Sequence, residues 1–291
     1  GLWTRPSAQP ADVEGFSAAR AVKDIEVMSR EHHSVAHPQE RAQVREYLIQ
    51  RLEGLGADTI SLYKYDSLVG PENRHVVYTF DAVNILAEFS PMTPSQDQTY
   101  LLFVAHYDSR YSQPMPKDTV WSYGAADDGY GVGVILELVR QCAVRKAKGE
   151  YVPNIQVVFF DCEDMGTPAH YTGQQREHTW CLGSQLWGEE YKKSIDNQKG
   201  TQPLIQYGIL LDMVGDPSAT FPREYFSMRY AGGYVEQIWR TASRLGYGRY
   251  FVQQTTYYPI TDDHYYVSTL AGIPCVDVID YKPNTETGFA E

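Results

Sequence analysis

His106 and Asp108 in "FVAHYDS", Asp127 and Asp128 in "GAADDG", Asp161, Glu163 and Asp164 in "FFDCED", and Asp212 in "LLDMVG" gather at the ends of short apolar runs. Like charges packed together raise one another's pKa and destabilise a fold. These carboxylates must therefore be solvated or face a cation. Imidazole mixed with carboxylate suits zinc best, and magnesium or calcium less well because of the histidine. Adjacent acids such as Glu163 and Asp164 make sense if one binds the metal while the other works as a general acid or base. A further stretch, "ITDDHYYV", offers Asp262, Asp263 and His264, either as a helix N-cap with an acidic first turn or as a hydrogen-bonding network that reaches into the site. Each acid also has a plainer reading: Asp128 before "GYG" can cap the next helix, and Asp161 can orient backbone. The repetition of the pattern at several strand ends, with His106 among them, favours a metal site.

The elements that must carry these residues follow from hydrophobic period. Between Glu40 and Gly56 the apolar positions Val44, Tyr47, Leu48, Leu52 and Leu55 recur at helical spacing, and Gly56 stands at the stop. A weaker pattern of the same kind spans Ser17 to Arg30. Helix-like stretches also cover Tyr130 to Arg145 and Tyr234 to Leu245. The partial alternation of "DTISLYKY" and "AVNILAEF" predicts strands near a sheet edge. The runs "YLLFVA", "IQVVFF", "YGILL" and "PCVDVI" read as strands buried on both faces. Buried strands alternating with helices predict an α/β three-layer sandwich with a mainly parallel, mixed central sheet, here as a single domain over residues 1–291. Ligands in such sheets bind outside the carboxyl ends of the strands, where these acids converge. The segment from Gly166 to Cys181 has no periodicity and is expected to be a loop that shapes a pocket wall, with Trp180 in it. His170 and His178 in that loop read as surface residues.

Composition limits the partners. Twenty-five basic against 37 acidic residues give a formal net charge of −12, which argues against nucleic acid, since phosphate binding needs clustered Lys and Arg. No apolar run approaches the roughly 20 residues that cross a bilayer. The chain opens at Gly1 without a basic and apolar leader, so any export signal is expected to have been removed or never to have existed. Cys142, Cys162, Cys181 and Cys275 form no CxxC pair, leaving free thiols or a Cys162–Cys181 bridge as alternatives. Cys162 is a poor nucleophile on paper, because its flanking acids raise a thiol pKa.

In order, "AHYDS", "GAADDGYGV", "FFDCED" followed by "CLGSQ", "LLDMVG" and "DDH" resemble the motifs of the zinc aminopeptidase and glutaminyl cyclase superfamily, over about Leu101 to Tyr281. The resemblance implies the zinc-exopeptidase fold, with His106, Asp127, Asp164 and Asp212 as metal ligands and Asp108 behind His106. It implies Glu163 as general acid/base, and Asp212 and Asp262 as members of the catalytic hydrogen-bond network. Asp212 binds a second zinc in the aminopeptidases and hydrogen-bonds substrate in the cyclases. "DMVGDPSATFP" and the loop before "CLGSQ" are similar to the cyclases, whereas "GAADDGYGV" and "HSVAHPQERAQVREYLIQRLEGLGA" are similar to the peptidases. Asp164 stands where the family usually has Glu, one methylene longer. A final metal-binding His in a "WHT"-like motif is expected beyond Glu291. Without it the cyclase-type site would keep Asp127 and Asp164, while the His106, Asp127, Asp212 set would be complete. The implied activity is zinc-dependent conversion of an N-terminal Gln to pyroglutamate with loss of ammonia, using one zinc. The alternatives are a two-zinc aminopeptidase and an inactive binding protein on the same fold. The implied partners are peptide or protein N-termini, and the implied location is outside the cytoplasm, as a periplasmic, secreted or lipid-anchored protein. For the pocket, Tyr257, Tyr258, Tyr265 and Tyr266 are candidate walls, with core or surface packing as the alternative.

Overall fold

The computed structural model describes residues 15–69, 79–90, 99–111, 122–166, 176–197 and 204–282. Its strands are β1 (Thr59–Val69), β2 (Thr79–Phe89), β3 (Thr99–His106), β4 (Asn154–Phe160), β5 (Leu204–Asp212), β6 (Phe221–Arg223), β7 (Phe251–Thr255) and β8 (Cys275–Ile279). Six of them form one mixed sheet in the order β1-β2-β4-β3-β5-β8. β4, β3, β5 and β8 run parallel, while β1 and β2 join antiparallel at one edge. β1 and β2 thus lie at one edge as their partial alternation predicts and β4, β3 and β5 are central, while β8, buried as its apolar run predicts, closes the opposite edge. β6 and β7 pair separately, in parallel.

Side chains leave the parallel strands alternately to two cores. Ala105, Ile155, Val157, Phe159, Val276 and Val278 face one helical layer, made of α1 (Ala18–Met28), α2 (Pro38–Gly54), α3 (Tyr130–Ala147) and α5 (Tyr225–Arg244). Leu102, Val104, Val158, Phe160 and Leu210 face the other, made of α4 (Leu182–Asn197) and α6 (Asp263–Thr269). Burial on both sides is the reason these runs carry no polar alternation. No helix among the described residues is long and apolar enough to cross a membrane.

Local chemistry explains where helices start. Ser17 caps α1 by accepting from the Arg20 amide, and Pro38 opens α2, where its missing N–H costs nothing. Glu224 caps α5 with two amides, Phe226 at 2.8 Å and Ser227 at 2.9 Å, and the same buried carboxylate meets His264 Nε2 at 2.6 Å. Two stretches go beyond the periodic pattern. α5 begins at Tyr225 and continues past Gly232 and Gly233, with a kink at Ala231. α4 is a full helix that starts hard against β4: a Cβ on Gly183 would lie 2.2 Å from the Asp161 carbonyl oxygen and 2.6 Å from Asn84 Oδ1. Asn84, wholly buried, clamps that junction, accepting from the Asp161 amide and donating to the Gly183 carbonyl, each at 2.9 Å. Gly183→Ala is accordingly expected to destabilise the fold by about 1–3 kcal/mol, the usual cost of overpacking. A lower urea midpoint at unchanged slope is the readout, and a wild-type midpoint would count against the close approach.

Candidate metal centre and active site

His106, the Glu163–Asp164 pair and Asp212 sit where β3, β4 and β5 end, as their patterns predict, whereas Asp127 lies in the turn that leads into α3 and Asp262 precedes α6. His106 is the last residue of β3, wholly buried, and its two nitrogens face different partners. Nδ1 lies 3.1 Å from the Asp108 carbonyl oxygen and 3.3 Å from its carboxylate. Nε2 points to Asp127 at 2.9 Å, Glu163 at 3.3 Å and Asp212 at 4.0 Å. Asp108 does more than orient the imidazole: its two oxygens accept the amides of Glu163 and Asp164, each at 3.0 Å, and so tie the end of β3 to the turn after β4.

Asp127 follows the αL residue Gly124 and is joined to Asp128 by a cis peptide bond. Asp128 points away from the cluster, accepting from Gly131 at the start of α3 (3.0 Å) and from Met213 (3.2 Å), which is the capping role its place before a helix predicts. Asp161 turns inward: it accepts from Val83 and Cys162 and faces Arg41 and Arg45 at 3.7 and 3.8 Å, so it serves the scaffold. Asp262 caps α6, accepting from Asp263 at 2.7 Å, which is its N-cap reading, and it also lines the cleft, where its Oδ2 is buried without a hydrogen-bond partner.

A cleft of about 580 Å³ opens beside this cluster, while His106, Asp108, Asp128 and Asp161 stay behind its wall. Asp127, Glu163, Asp164, Glu177, Asp212 and Asp262 give it acids, and Arg110 is the cation among its described lining residues. Trp180, Met213, Ile260, Ile279 and Tyr281 supply apolar wall. The four candidate tyrosines lie elsewhere: Tyr257 and Tyr258 are solvent-exposed, Tyr265 stacks on Phe226 at 4.4 Å, and Tyr266 is half-buried. Of the loop after Gly166, residues 167–175, including His170, lie outside the described residues, while His178 is exposed as expected. All four cysteines are free, so no Cys162–Cys181 bridge forms. Burial, then Asp161, pushes the Cys162 thiol pKa well up, which disfavours it as a nucleophile.

The electrostatics call for a positive guest. Burial raises the Glu163 carboxyl well above its ordinary range, opposed by His106 and reinforced by Asp164 and Asp262. Asp164 and Asp212 are raised in the same way, first by burial and then by Asp127 and Asp262 respectively. For His106 burial alone would lower the pKa, but Glu163, Asp108 and Asp127 lift it well above the imidazole value. Asp164 Oδ2 and Asp212 Oδ1 are buried without a hydrogen-bond partner. Single donor atoms of His106, Asp127 and Asp212 lie within 4.8 Å of one another, as do those of Asp127, Glu163 and Asp164. Orphaned carboxylate oxygens, a histidine nitrogen and short mutual distances fit a zinc ion, and Asp127 belongs to both trios.

Two polar neighbours escaped the sequence pattern because each is a single residue without a spacing partner. Arg110 donates to Asp164, and the Cys181 thiol lies 3.4 Å from Glu163 Oε1 as a donor. The only available signal for Arg110 was a cation two residues past Asp108 in an otherwise acidic set.

Known proteins share this arrangement of strands. A Zn-dependent exopeptidase from Parabacteroides distasonis superposes with a TM-score of 0.77 at 33% identity, covering 95% of this chain and 88% of that one. A glutaminyl cyclase from Tannerella forsythia superposes with a TM-score of 0.75 at 35% identity, covering 94% and 88%. A glutaminyl-peptide cyclotransferase of Bothrops jararaca is 24% identical over 245 residues, which are 76% of this chain and 61% of that protein, so the chain spans less than two thirds of that relative. The model of peptidase family M28 matches residues 84–288. With that match over most of its length, the chain belongs to peptidase family M28, a family of enzymes.

Proposed function

We propose that this enzyme is a zinc-dependent glutaminyl-peptide cyclotransferase acting on N-terminal Gln of peptides or proteins. The observation that carries the reading is the placement of Glu163. Its carboxylate borders the cleft beside His106 Nε2, with Cys181 donating to one oxygen, in a surrounding of acids that favours its holding a proton. A proton carrier of raised pKa is what ring closure requires. The α-amine attacks Cδ of the side-chain amide, the new N–Cδ bond forms, and the bond from Cδ to the amide nitrogen breaks. Glu163 takes the proton lost by the amine and gives it to the departing nitrogen, which leaves as ammonia. Asp212 and Asp262 line the same cleft as Glu163, Asp262 close enough to raise the pKa of both, and would share the hydrogen bonds of that transfer. Asp127 and Asp164 would hold the zinc, whose chemistry there is Lewis-acid polarisation of the amide carbonyl.

The second reading, an aminopeptidase, is favoured by one feature: His106, Asp127 and Asp212 form a further donor trio, enough for a second zinc. Glu163 would then serve as base toward a water. A peptide beginning with Gln, followed by mass, separates the readings. Loss of one ammonia supports the cyclase, release of the whole first residue supports the aminopeptidase, and neither product across varied N-termini would favour a binding protein. Work outside the cytoplasm belongs to the same proposal and is checked by cell fractionation.

A further inference from the structure

We propose that Arg110 is a positioning residue that makes Asp164 a one-oxygen metal ligand. This rests on the metal reading above and goes beyond it, because it concerns what orients the ligand. Asp164 is held at almost every polar atom. Its amide donates to Asp108 Oδ2 at 3.0 Å, and its carbonyl accepts from the Tyr111 amide at 2.9 Å and from Arg110 Nη1 at 3.2 Å. The same Nη1 reaches Asp164 Oδ1 at 3.2 Å, which leaves Oδ2 as the one buried oxygen without a partner.

The guanidinium is itself fixed on two further sides. Nη2 donates to the Gly166 carbonyl at 3.0 Å, and the plane lies over the Trp180 ring with its carbon 4.4 Å from the centroid. Gly166 permits this stack, because a Cβ there would meet the Trp180 ring at 2.0 Å. Arg110 thus spans the turn 164–166 from both ends, with a planar fork that an ammonium cannot copy. The short Asp side chain explains the need. Its carboxylate can take two-oxygen or one-oxygen coordination by a small rotation, and engaging Oδ1 removes the first option.

The direction of the zinc-affinity change tests this, because charge and geometry predict opposite signs. If Arg110 only balanced charge, Arg110→Gln would remove a cation from beside a cation site and tighten zinc. A positioning role predicts the reverse: zinc affinity of the full chain, measured by competition with a chromophoric chelator, falls about 10–100-fold in Arg110→Gln. Arg110→Lys falls with it, since the fork is lost while the charge stays. Tighter or unchanged zinc binding in Arg110→Gln would overturn the proposal, and so would full recovery in Arg110→Lys. Thermal midpoints of the metal-free proteins are recorded alongside. If an Arg110 variant does not fold, Trp180→Leu, which removes the stacking surface and spares the hydrogen bonds, is expected to weaken zinc in the same direction, and unchanged affinity there would count against the proposal. Asp164→Asn serves as control: if it leaves zinc affinity unchanged, Asp164 is no ligand and the metal reading falls first, taking this one with it.

Discussion

Glu163→Gln is expected to lower kcat by about 10²–10⁴-fold, the range general acid–base catalysis contributes, while zinc content and fold stay unchanged. The substitution is nearly isosteric. The Glu163 backbone is fixed independently of its side chain, through its amide to Asp108 and its carbonyl to the Cys181 amide at 2.9 Å. The side chain lies buried among acids that favour its protonated, neutral form, and His106 beside it keeps Asp108 and Asp127 as partners, so a neutral Gln leaves no unpaired cation. What disappears is the ability to accept and return a proton. Steady-state kinetics on a Gln peptide, with metal analysis of the same preparation, provide the check. A kcat within tenfold of wild type would remove Glu163 from the proton transfer.

Two residues upstream the expected result is opposite in kind. Asp161→Ala should cost about 3–5 kcal/mol of stability, the price of breaking a buried ion pair by removing one partner, while the folded fraction keeps its activity. Asp161 is inaccessible to solvent and accepts from the Val83 and Cys162 amides at 2.9 and 2.8 Å. Arg41, 4% exposed, faces it and would be left with the Asp81 carbonyl at 2.8 Å and a sulfur contact to Cys162 at 3.6 Å. Arg41 Nε has no hydrogen-bond partner even now, so it depends on the nearby carboxylate. Urea denaturation measures the loss, and a drop below 1 kcal/mol would mean the arginine finds another partner. Asp161 and Glu163 look alike in "FFDCED", yet one holds the scaffold and the other faces the cleft.

That pair shows how far the chain could be read without coordinates. The central strands, α2 and the convergence of His106, Asp127, Glu163, Asp164 and Asp212 were legible, because double burial erases alternation and because His106, Glu163, Asp164 and Asp212 stand at or just after the carboxyl ends of parallel strands. The division of labour among neighbouring acids was not. Whether a side chain after a strand turns toward an arginine or toward the cleft depends on tertiary partners such as Arg41, which lies 120 residues before Asp161 in sequence. α4 was missed for a related reason. Gly183 and Gly188 interrupt its pattern as if they were breakers, whereas Gly183 is small because β4 approaches it. In α5 the pair Gly232 and Gly233 concealed the first two turns in the same way. Single polar residues such as Arg110 and Cys181 carry no period at all, and only geometry shows what they touch.

Asp108 has a consequence for how such a site can change over generations. Because one carboxylate holds the amides of both 163 and 164, the route of the main chain through that turn does not depend on which side chains those two positions carry. Lengthening or shortening an acid there resets the reach toward metal or substrate while the backbone stays anchored. A change between ring closure and hydrolysis is then open to stepwise point substitution at 163 and 164, with no intermediate that has to refold.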